Sequence, residues 1–558
     1  MSGHASVKAI LPWGFLWVAC SIAFAWFTFE PLSRMLGSLS WEHIAVVIFA
    51  DVLLALVVLF IHDRTQTDEP IQRMFPVVYW GRWLSVITGP LLRQYWFASD
   101  HEEKPYDRVT RNWIYQTSRG RSNNIGFGSQ HDFDAIGSYH ALPATFTNTV
   151  SKTGDETGDH YHKEIGLHTG ISNPYTMLHF ITISAMSFGS LSDRAIMALN
   201  KGAKKAGILH NTGEGGLAVY HEQGGDLIFQ MGTAKYGVRD SDGGLDEDKL
   251  RAITSREEVK MVEIKLAQGA KPGKGGMLLK EKITKEIAEI RGIPRGVDCH
   301  SPPRHKEFDD VDGLFDFIDR VRAIADKPVG IKMVLGHTEE LESVAAKMAA
   351  EPGRGPDYIQ IDGSEGGTGA APLVLAGNAG LPMKQAIALA DWAFKEHGVR
   401  DRIALFTSGQ IGTPIDVAVA MALGADAVHV ARGFMFALGC IQALECHSNK
   451  CPTGIATQSR WRIRALDVDA AADRVAAYAK CLEKEVKMLS ESCGYNSPDQ
   501  LTADDIMVVT SPGHLDYLSE LHGVSAWEAS RERSLARAEG MTVGEYKRHK
   551  SLPVLDSP

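Results

Sequence analysis

The 558-residue sequence has few cysteines and no excess of positive charge. Its seven cysteines are an odd number and are not spread like a disulfide framework, which favours a reducing compartment. Lys and Arg total 58 against 68 for Asp and Glu, and the net charge of −10 argues against a general nucleic-acid-binding surface. A content of 44% hydrophobic residues is typical of a globular protein with one large domain or two.

Two long apolar runs stand near the amino terminus. Residues 9–29 contain no charge, and residues 44–61 contain only Asp51. Because a spanning helix takes about 20 apolar residues, we expect two transmembrane helices within residues 1–70. A cleaved signal peptide and a buried helical hairpin are the alternatives. Only one basic residue, Arg34, lies between the runs, which predicts a two-pass inner or plasma membrane protein with the rest of the chain in the cytoplasm.

Residues 71–160 lack the periodicity of their neighbours. From Gln72 to Phe97, aromatic and basic residues mix, which indicates either an interfacial segment on the membrane or a packed linker. The polar stretch that follows is rich in Gly and Ser, and we interpret 71–160 as an entry segment. The tail, residues 511–558, is charged and carries no chemical motif.

From His179 onward, short β-rich runs alternate with stretches of helical length. This alternation predicts parallel β/α units, most simply a TIM (β/α)8 barrel within residues 161–510. The predicted strands are Phe180–Ala185, Ile208–Asn211, Met261–Leu266, Gly296–Cys299, Val329–Val334, Tyr358–Ile361, Ile403–Phe406 and Ala427–Val430. Helical periodicity from Ala470 to Leu489 completes the expected fold class, an α/β barrel with an N-terminal transmembrane hairpin and C-terminal helices.

Glycine-rich segments follow the last three predicted strands, where such a barrel places its chemistry. They are residues 363–369, Ser408-Gly409-Gln410 and Ala431-Arg432-Gly433. Glycine lets backbone N–H groups approach an anion closely, so together these segments predict a cradle for a phosphorylated cofactor. A tight turn is the alternative for any single glycine.

Three charged residues lie at the ends of predicted strands, namely Glu214, Lys271 and Lys332. A lysine beside a cofactor or a carbonyl stabilises developing negative charge, although each charge taken alone is more often a surface residue. Lys332 lies inside the apolar strand 329–334, and a buried lysine needs a partner.

Three of the cysteines, Cys440, Cys446 and Cys451, fall within twelve residues. Clustered thiolates bind soft metals, and a cluster that ends in Cys451-Pro452 indicates iron–sulfur ligation. Zinc would need a fourth ligand, for which His447 is the candidate, and three buried thiols are the remaining alternative. Three thiolates alone suit a cluster with three cysteine-held irons.

Taken together, these motifs resemble the glutamate synthase family over residues 160–510. The segments that carry the resemblance are Ala185–Ser192, Gly213–Gly216, Ile264–Gly276, Ser301–Pro303, Asp362–Ala370 and Cys440–Gln458. The resemblance implies FMN in the barrel and a [3Fe-4S] cluster in the cysteine-rich loop. It also implies an oxidoreductase in which 2-oxoglutarate condenses with ammonia and the resulting 2-iminoglutarate takes a hydride from reduced FMN to give L-glutamate.

The resemblance also implies roles for individual residues. The expected catalytic residues are Glu214, Lys271 and Lys332. The expected substrate-binding residues are Gln268, Lys271 and Arg291. The expected cofactor-binding residues are Ala185, Met186, Ser187, Gln268, Lys332, Gly366, Gly367, Thr368, Ser408, Gly409, Gln410, Ala431, Arg432 and Gly433. The expected cluster ligands are Cys440, Cys446 and Cys451.

Some features depart from the family pattern. Met277 stands where the family has a glutamine near the substrate, and Ser408-Gly409-Gln410 replaces an acidic phosphate loop. No amidotransferase or NAD(P)H-binding region is evident, so we expect ammonia and electrons to come from outside the chain. The expected partners are 2-oxoglutarate, the membrane, an electron donor (ferredoxin or a membrane protein), an ammonia-supplying subunit and a second copy of the chain. The alternative functions are an N-methylglutamate synthase-type transferase and a non-catalytic electron-transfer or scaffold subunit.

Overall fold

The computed structural model describes residues 41–129, 131–147, 161–543 and 545–547. The chain divides into two compact units after Glu103. The first unit contains helices α1 (Trp41–Thr65), α2 (Pro70–Met74) and α3 (Tyr79–Leu92). At the end of α1 the buried carboxylate of Asp63 accepts hydrogen bonds from Gln72 Nε2 at 2.6 Å and from Trp80 Nε1 at 3.1 Å, which ties the three helices together.

The predicted membrane localisation is contradicted. The first predicted span, residues 9–29, lies outside the described residues, and the second lies in α1. Within the described ranges, no helix combines the length and the apolar character that crossing a membrane requires. Asp51 falls inside the apolar part of α1 and Asp63 near its end, and such charges are costly in hydrocarbon. The transmembrane hairpin is therefore unsupported.

The second unit holds the sheet structure and most of the helices. Its strands are β1 (Tyr139–Ala141), β2 (Lys163–Ile165), β3 (Tyr175–Met177), β4 (Ile181–Ile183), β5 (His210–Asn211), β6 (Leu227–Met231), β7 (Val259–Lys265), β8 (Met277–Leu278), β9 (Cys299–His300), β10 (Val329–Met333), β11 (Tyr358–Asp362), β12 (Ala404–Ser408), β13 (Ala427–Val430), β14 (Ile506–Ser511) and β15 (His514–Tyr517). Its α-helices are α4 (Arg108–Ser118), α5 (Asp193–Ala206), α6 (Glu247–Thr254), α7 (Lys285–Arg291), α8 (Val311–Ala325), α9 (Glu339–Ala350), α10 (Leu373–Ala376), α11 (Met383–Glu396), α12 (Pro414–Ala422), α13 (Arg432–Leu438), α14 (Arg460–Ile463), α15 (Val468–Ser492), α16 (Leu518–His522) and α17 (Val524–Ala538).

Eight parallel strands close into a barrel in the order β4, β5, β6, β7, β10, β11, β12 and β13, and β13 pairs back with β4. Strands β10, β11 and β12 are buried along their whole length. A strand covered by helices outside and by packed side chains inside is apolar on both faces, which explains the nearly continuous hydrophobic runs of these segments. The predicted α/β barrel is confirmed.

One of the eight predicted strands is wrong, and one barrel strand was missed. The predicted strand Gly296–Cys299 reaches only the two-residue β9, which pairs antiparallel with β8 outside the barrel. The third barrel strand is instead β6. Only a short 3-10 turn, Val219–His221, lies between β5 and β6, so the alternation of strand and helix did not reveal this member.

The C-terminal helix α15 packs on the helical layer of the barrel. Helix α5 begins where Ser192 Oγ accepts a hydrogen bond from Ala195 N at 3.3 Å, and it ends at Gly207, whose φ is 78°. A Cβ on Gly202 of α5 would clash with Val475 of α15. The glycine thus lets the two helices approach closely, beside the loop that carries the clustered cysteines.

Candidate active site

A cavity of about 320 Å³ lies at the carboxyl ends of the barrel strands. Loops after β4, β5, β7, β11, β12 and β13 contribute to its wall, which is the usual position of an active site in this architecture. Its volume lies in the range of small-molecule and cofactor sites. The polar lining residues include Tyr106, Ser187, Glu214, Gln230, Lys265, Gln268, Lys332, Asp362, Ser408, Gln410, His429, Arg432, Cys440, Gln442 and Cys446.

An ion pair between neighbouring strands lies in the cavity wall. Lys332 Nζ is 3.3 Å from Asp362 Oδ2, and the side chains are 8% and 9% exposed. Asp362 also accepts hydrogen bonds from Ser408 Oγ at 2.6 Å and from Gly269 N at 2.9 Å. Burial acts to raise the pKa of Asp362, but the charge of Lys332 and these donors hold it below its usual value. The wall therefore presents an ammonium beside an ionised carboxylate.

Two titratable groups of the barrel interior neighbour this pair. Burial, followed by the charge of Lys332, lowers the pKa of His429 to about 3, so its ring is neutral. His429 lines the cavity, and its Nε2 has no hydrogen-bond partner among the described residues. Glu263 is fully buried, and burial raises its pKa although Asn211 Nδ2 donates to it at 3.0 Å and Gln230 Nε2 at 2.5 Å. The unpartnered His429 nitrogen is available to a bound molecule.

A second polar group joins Glu214, Lys265 and Gln268. Lys265 Nζ lies 3.0 Å from Glu214 Oε1 and also donates to Gln268 Oε1. Burial acts to raise the pKa of Glu214, but the charges of Lys265, Arg291 and Lys271 outweigh it and hold the pKa below its usual value. Glu214 is therefore an ionised carboxylate at neutral pH, inside a cluster of cations.

Lys271 and Arg291, both predicted to bind the substrate, are buried next to the cavity rather than among its lining residues. Lys271 Nζ donates to Ala370 O at 2.9 Å, and burial lowers its pKa to about 8. Arg291 Nη2 donates to Phe188 O at 3.1 Å and to Ser187 Oγ at 3.3 Å. Arg291 thereby supports the loop that presents Ser187 to the cavity.

The loops after β11, β12 and β13 bring the predicted phosphate cradle together. Their lining residues include Gly366, Gly367, Thr368, Ser408, Gly409, Gln410, Ala431 and Arg432. Arg432 Nη2 donates to Glu365 O at 2.6 Å, which joins the loop after β13 to the loop after β11. Gly433 lies elsewhere: a Cβ there would clash with Tyr478 of α15, so this glycine serves the contact between α13 and α15.

The clustered cysteines lie in the loop between α13 and α14, and Cys440 and Cys446 line the cavity. Burial raises the pKa of Cys440 to about 12 and also raises that of Cys446. For Cys451 burial acts in the same direction, but hydrogen bonds from Thr453 and from neighbouring backbone N–H groups lower the pKa. The buried ammonium of Lys282 donates to Cys446 O at 3.0 Å. The cation and the N–H donors favour the thiolate form of Cys451, whereas burial keeps Cys440 and Cys446 protonated in the absence of a bound metal.

A test of the donor set separates a single metal ion from a cluster. In the described part of the chain, no three His, Cys, Asp or Glu side chains are arranged to hold one ion. An iron–sulfur cluster is held by thiolates on different irons, so its cysteines need not converge on one point. The three thiols and their N–H donors fit a cluster better than a lone ion.

Sequence reasoning missed several charged or polar residues of this site, among them Lys265, Asp362, His429 and Lys282. Lys265 ends β7, whose sequence already contains Lys260 and Glu263, so it lacks the signal that Lys332 has inside the apolar strand β10. His429 stands inside the apolar strand β13 and carries a comparable signal. Lys282 lies in a polar stretch, and nothing in its sequence neighbourhood indicates burial.

The comparisons with known proteins agree with this geometry. Residues 146–496 match the family model described as the conserved region in glutamate synthase. The chain belongs to the glutamate synthase family. The glutamate synthase large subunit-like protein YerD of Bacillus subtilis is 37% identical over an alignment of 497 residues that covers 83% of this chain and 94% of that protein. The glutamate synthase large subunit-like protein of Rhizobium meliloti is 34% identical over 350 residues, 59% of this chain and 75% of the relative.

Relatives with a full enzyme name match over a shorter stretch. The archaeal-type glutamate synthase (NADPH) of Thermotoga sp. is 35% identical over 347 residues, 62% of this chain and 65% of that protein. The chain thus spans just under two thirds of the length of this relative. Among solved structures, a mandelate oxidase mutant with (S)-mandelic acid superimposes with a TM-score of 0.41 at 17% sequence identity. The superposition covers 73% of this chain and 98% of the mandelate oxidase chain. The predicted enzyme class, a glutamate synthase-like oxidoreductase, is confirmed by the family and its named members.

Proposed function

We propose that this protein is an FMN-dependent oxidoreductase that converts 2-oxoglutarate and ammonia, through 2-iminoglutarate, to L-glutamate. The observation that carries the proposal is the meeting of two lysine–carboxylate pairs in one cavity, in a chain of the glutamate synthase family. Lys332 lies 3.3 Å from Asp362, and Lys265 lies 3.0 Å from Glu214. A dicarboxylate substrate and an anionic cofactor both call for such fixed cations.

The cavity fits a flavin mononucleotide. The neutral His429 ring with its unpartnered Nε2 and the Lys332 ammonium suit the polar edge of a flavin ring, and Arg432 with the glycine loops suits a phosphate. When bound, FMN supplies hydride transfer. The residues that would hold it are Ala185, Met186, Ser187, Gln268, Lys332, Gly366, Gly367, Thr368, Ser408, Gly409, Gln410, Ala431 and Arg432.

The substrate side of the site would use the second polar group. The ammonium group of Lys265 lines the cavity and would bind a carboxylate oxygen. Lys271 lies behind the lining and would attract the substrate through its charge, and Arg291 would act on the substrate site through Ser187. Glu214 is ionised and can carry protons from the attacking nitrogen of ammonia to the keto oxygen, which then leaves as water. The Lys332 ammonium would stabilise negative charge beside the reacting carbon.

The same proposal assigns a [3Fe-4S] cluster to Cys440, Cys446 and Cys451. Two of these thiols line the cavity, so a cluster there would lie beside the flavin. A cluster in that position supplies single electrons to a neighbouring redox group. The nearby Lys282 ammonium, with a pKa that burial lowers to about 8, would offset part of its negative charge.

Product analysis tests the proposal. Purified protein is incubated with 2-oxoglutarate, nitrogen-15 ammonium and a chemical reductant, and the amino acids formed are identified by mass spectrometry. We expect labelled glutamate from the wild type and from Lys274→Met, an exposed lysine of the same loop, and little from Lys265→Met. N-methylglutamate formed from methylamine and glutamate would instead identify the transferase reaction, and flavin-loaded protein without any product would indicate an electron-transfer subunit.

A further inference from the structure

A segment ahead of the barrel completes the cavity. Pro105 and Tyr106, just before α4, line it together with the barrel loops. Both residues precede the stretch 146–496 that matches the family model. Part of the wall therefore comes from a region that the family match does not contain, and this part contacts the proposed phosphate cradle.

The side chain of Tyr106 packs on two residues of α13. The Arg432 guanidinium carbon lies 5.1 Å from the centre of the Tyr106 ring, and the Phe436 ring meets it edge-on at 5.3 Å between centroids. Tyr106 is 3% exposed, so its ring is a fixed surface. Arg432 also donates to Glu365 O at 2.6 Å. The Tyr106 ring contacts the face of the Arg432 guanidinium, and Glu365 O accepts a hydrogen bond at its edge. Together these two contacts fix the plane of the guanidinium, and its other N–H groups remain as donors.

Two glutamines hold this segment in place. Gln442 Oε1 accepts a hydrogen bond from Tyr106 N at 3.3 Å, and Gln442 Nε2 donates to Tyr106 O at 2.9 Å. Gln410 Nε2 donates to Pro105 O. Gln442 and Gln410 have φ values of 56° and 53°, in a left-handed region that residues other than glycine rarely adopt. Such conformations persist where the surrounding contacts determine them, and here those contacts include the segment itself.

We propose that Tyr106 is a positioning residue that orients Arg432 toward the phosphate of the flavin, and that Gln442 keeps Tyr106 in place. The inference rests on the proposed function, since it requires FMN in the cavity. Arginine recognises phosphate through paired N–H donors in one plane, so an aromatic face that fixes this plane prepares the site. Riboflavin lacks the phosphate, and its binding does not depend on the orientation of Arg432.

The test compares FMN and riboflavin binding to the full-length protein after its flavin is removed, by quenching of flavin fluorescence. Tyr106→Leu should weaken FMN binding about tenfold and leave riboflavin binding unchanged. Tyr106→Phe keeps the ring face but loses the hydroxyl that hydrogen-bonds Arg432, so it should weaken FMN binding less than Tyr106→Leu does and leave riboflavin binding unchanged. Gln442→Ala should act in the same direction as Tyr106→Leu. The matched control is Gln116→Ala in α4, whose side chain accepts from Arg121 at 3.1 Å and does not line the cavity.

Each outcome decides the matter. Equal losses of FMN and riboflavin affinity in Tyr106→Leu would show that the ring only shapes the cavity, and would overturn the inference while leaving the proposed function standing. Unchanged FMN affinity in that variant would do the same. Wild-type protein that binds neither flavin would overturn the proposed function, and the inference with it. Riboflavin bound normally by the variants also shows that they are folded.

Discussion

The ammonium of Lys332 lies 3.3 Å from the carboxylate of Asp362, and the two residues come from adjacent barrel strands, β10 and β11. The pairing explains how a lysine can stand within the apolar strand β10. Neither charge is left alone in the interior, because Asp362 is also bonded to Ser408 and Gly269. The same contact places opposite charges side by side in the wall of the cavity.

Removal of Lys332 should destabilise the barrel. Lys332→Met leaves Asp362 buried without its cation, and we expect the free energy of unfolding in urea to fall by about 3 kcal/mol. Lys201→Met is the control, since it breaks a solvent-exposed pair with Asp469 at 2.7 Å and should cost less than about 1 kcal/mol. The double variant Lys332→Met/Asp362→Asn should recover part of the loss. A single variant as stable as the control would contradict the account.

The ion pair of Lys332 and Asp362 makes the free energy of unfolding depend on pH. The folded protein holds the pKa of Asp362 below its usual value, so the contribution of the pair is complete above the ordinary carboxyl pKa of about 4. It is lost as the pH falls through the lower folded value. The free energies of unfolding of the wild type and Lys332→Met should therefore differ most near neutral pH and become equal in acid. Unfolding curves across this range measure the difference.

Substrate affinity should fall above pH 8. Burial lowers the pKa of Lys271 to about 8, so its ammonium loses its proton as the pH rises through that value. We expect the apparent Kd for 2-oxoglutarate to rise above that pH in the wild type and in the control Lys274→Arg. Lys271→Arg stays charged and should show no such inflection. An inflection that persists in Lys271→Arg would assign it to another group, such as Lys282, whose pKa is also about 8.

Glu263→Gln should stabilise the protein at neutral pH. Burial raises the pKa of Glu263 in the folded protein above its value in the unfolded chain. The free energy of unfolding therefore falls as the pH rises from the unfolded pKa to the folded pKa. Glutamine keeps the shape of the protonated acid without ionising. We expect a gain of about 1 kcal/mol at pH 7 and none near pH 4. Glu289→Gln, an exposed residue of α7, is the control, and a wild-type pH profile retained in Glu263→Gln would refute the prediction.

The cysteine loop predicts a specific metal content. Wild-type protein and Cys493→Ser, a cysteine after α15, should contain about three irons per chain, and Cys446→Ser should lose them together with the cluster signal in electron paramagnetic resonance. Zinc in place of iron, or an iron content that Cys446→Ser does not change, would remove the cluster from the account.

The repeating part of the fold could be predicted from the sequence. Helices α8, α9 and α11 occupy the stretches of helical length between predicted strands, and the strands between these helices are runs of buried residues. Strand β6 was missed because a turn rather than a helix precedes it. Asp51 interrupts the apolar run of residues 44–61, and the cost of a carboxylate in hydrocarbon is the feature of this sequence that argues against a span.

The site was predictable where a residue carries its own signal, and not where it depends on distant partners. Lys332 stands out in an apolar strand, whereas its partner Asp362 ends a strand in an unremarkable way. Tyr106 and Gln442 are 336 positions apart and meet only in the folded chain. Arg291 was expected in the cavity, but the fold places it behind Ser187.

The most direct test of the central claim follows the flavin itself. The protein is reduced without oxygen, then mixed with 2-oxoglutarate, with ammonium, or with both, and the flavin absorbance is recorded over time. The account predicts prompt reoxidation only when both compounds are present, because the imine is the hydride acceptor. It also predicts that Lys265→Met slows this reoxidation. A flavin that stays reduced with both compounds, or that is reoxidised equally well by 2-oxoglutarate alone, would contradict the account.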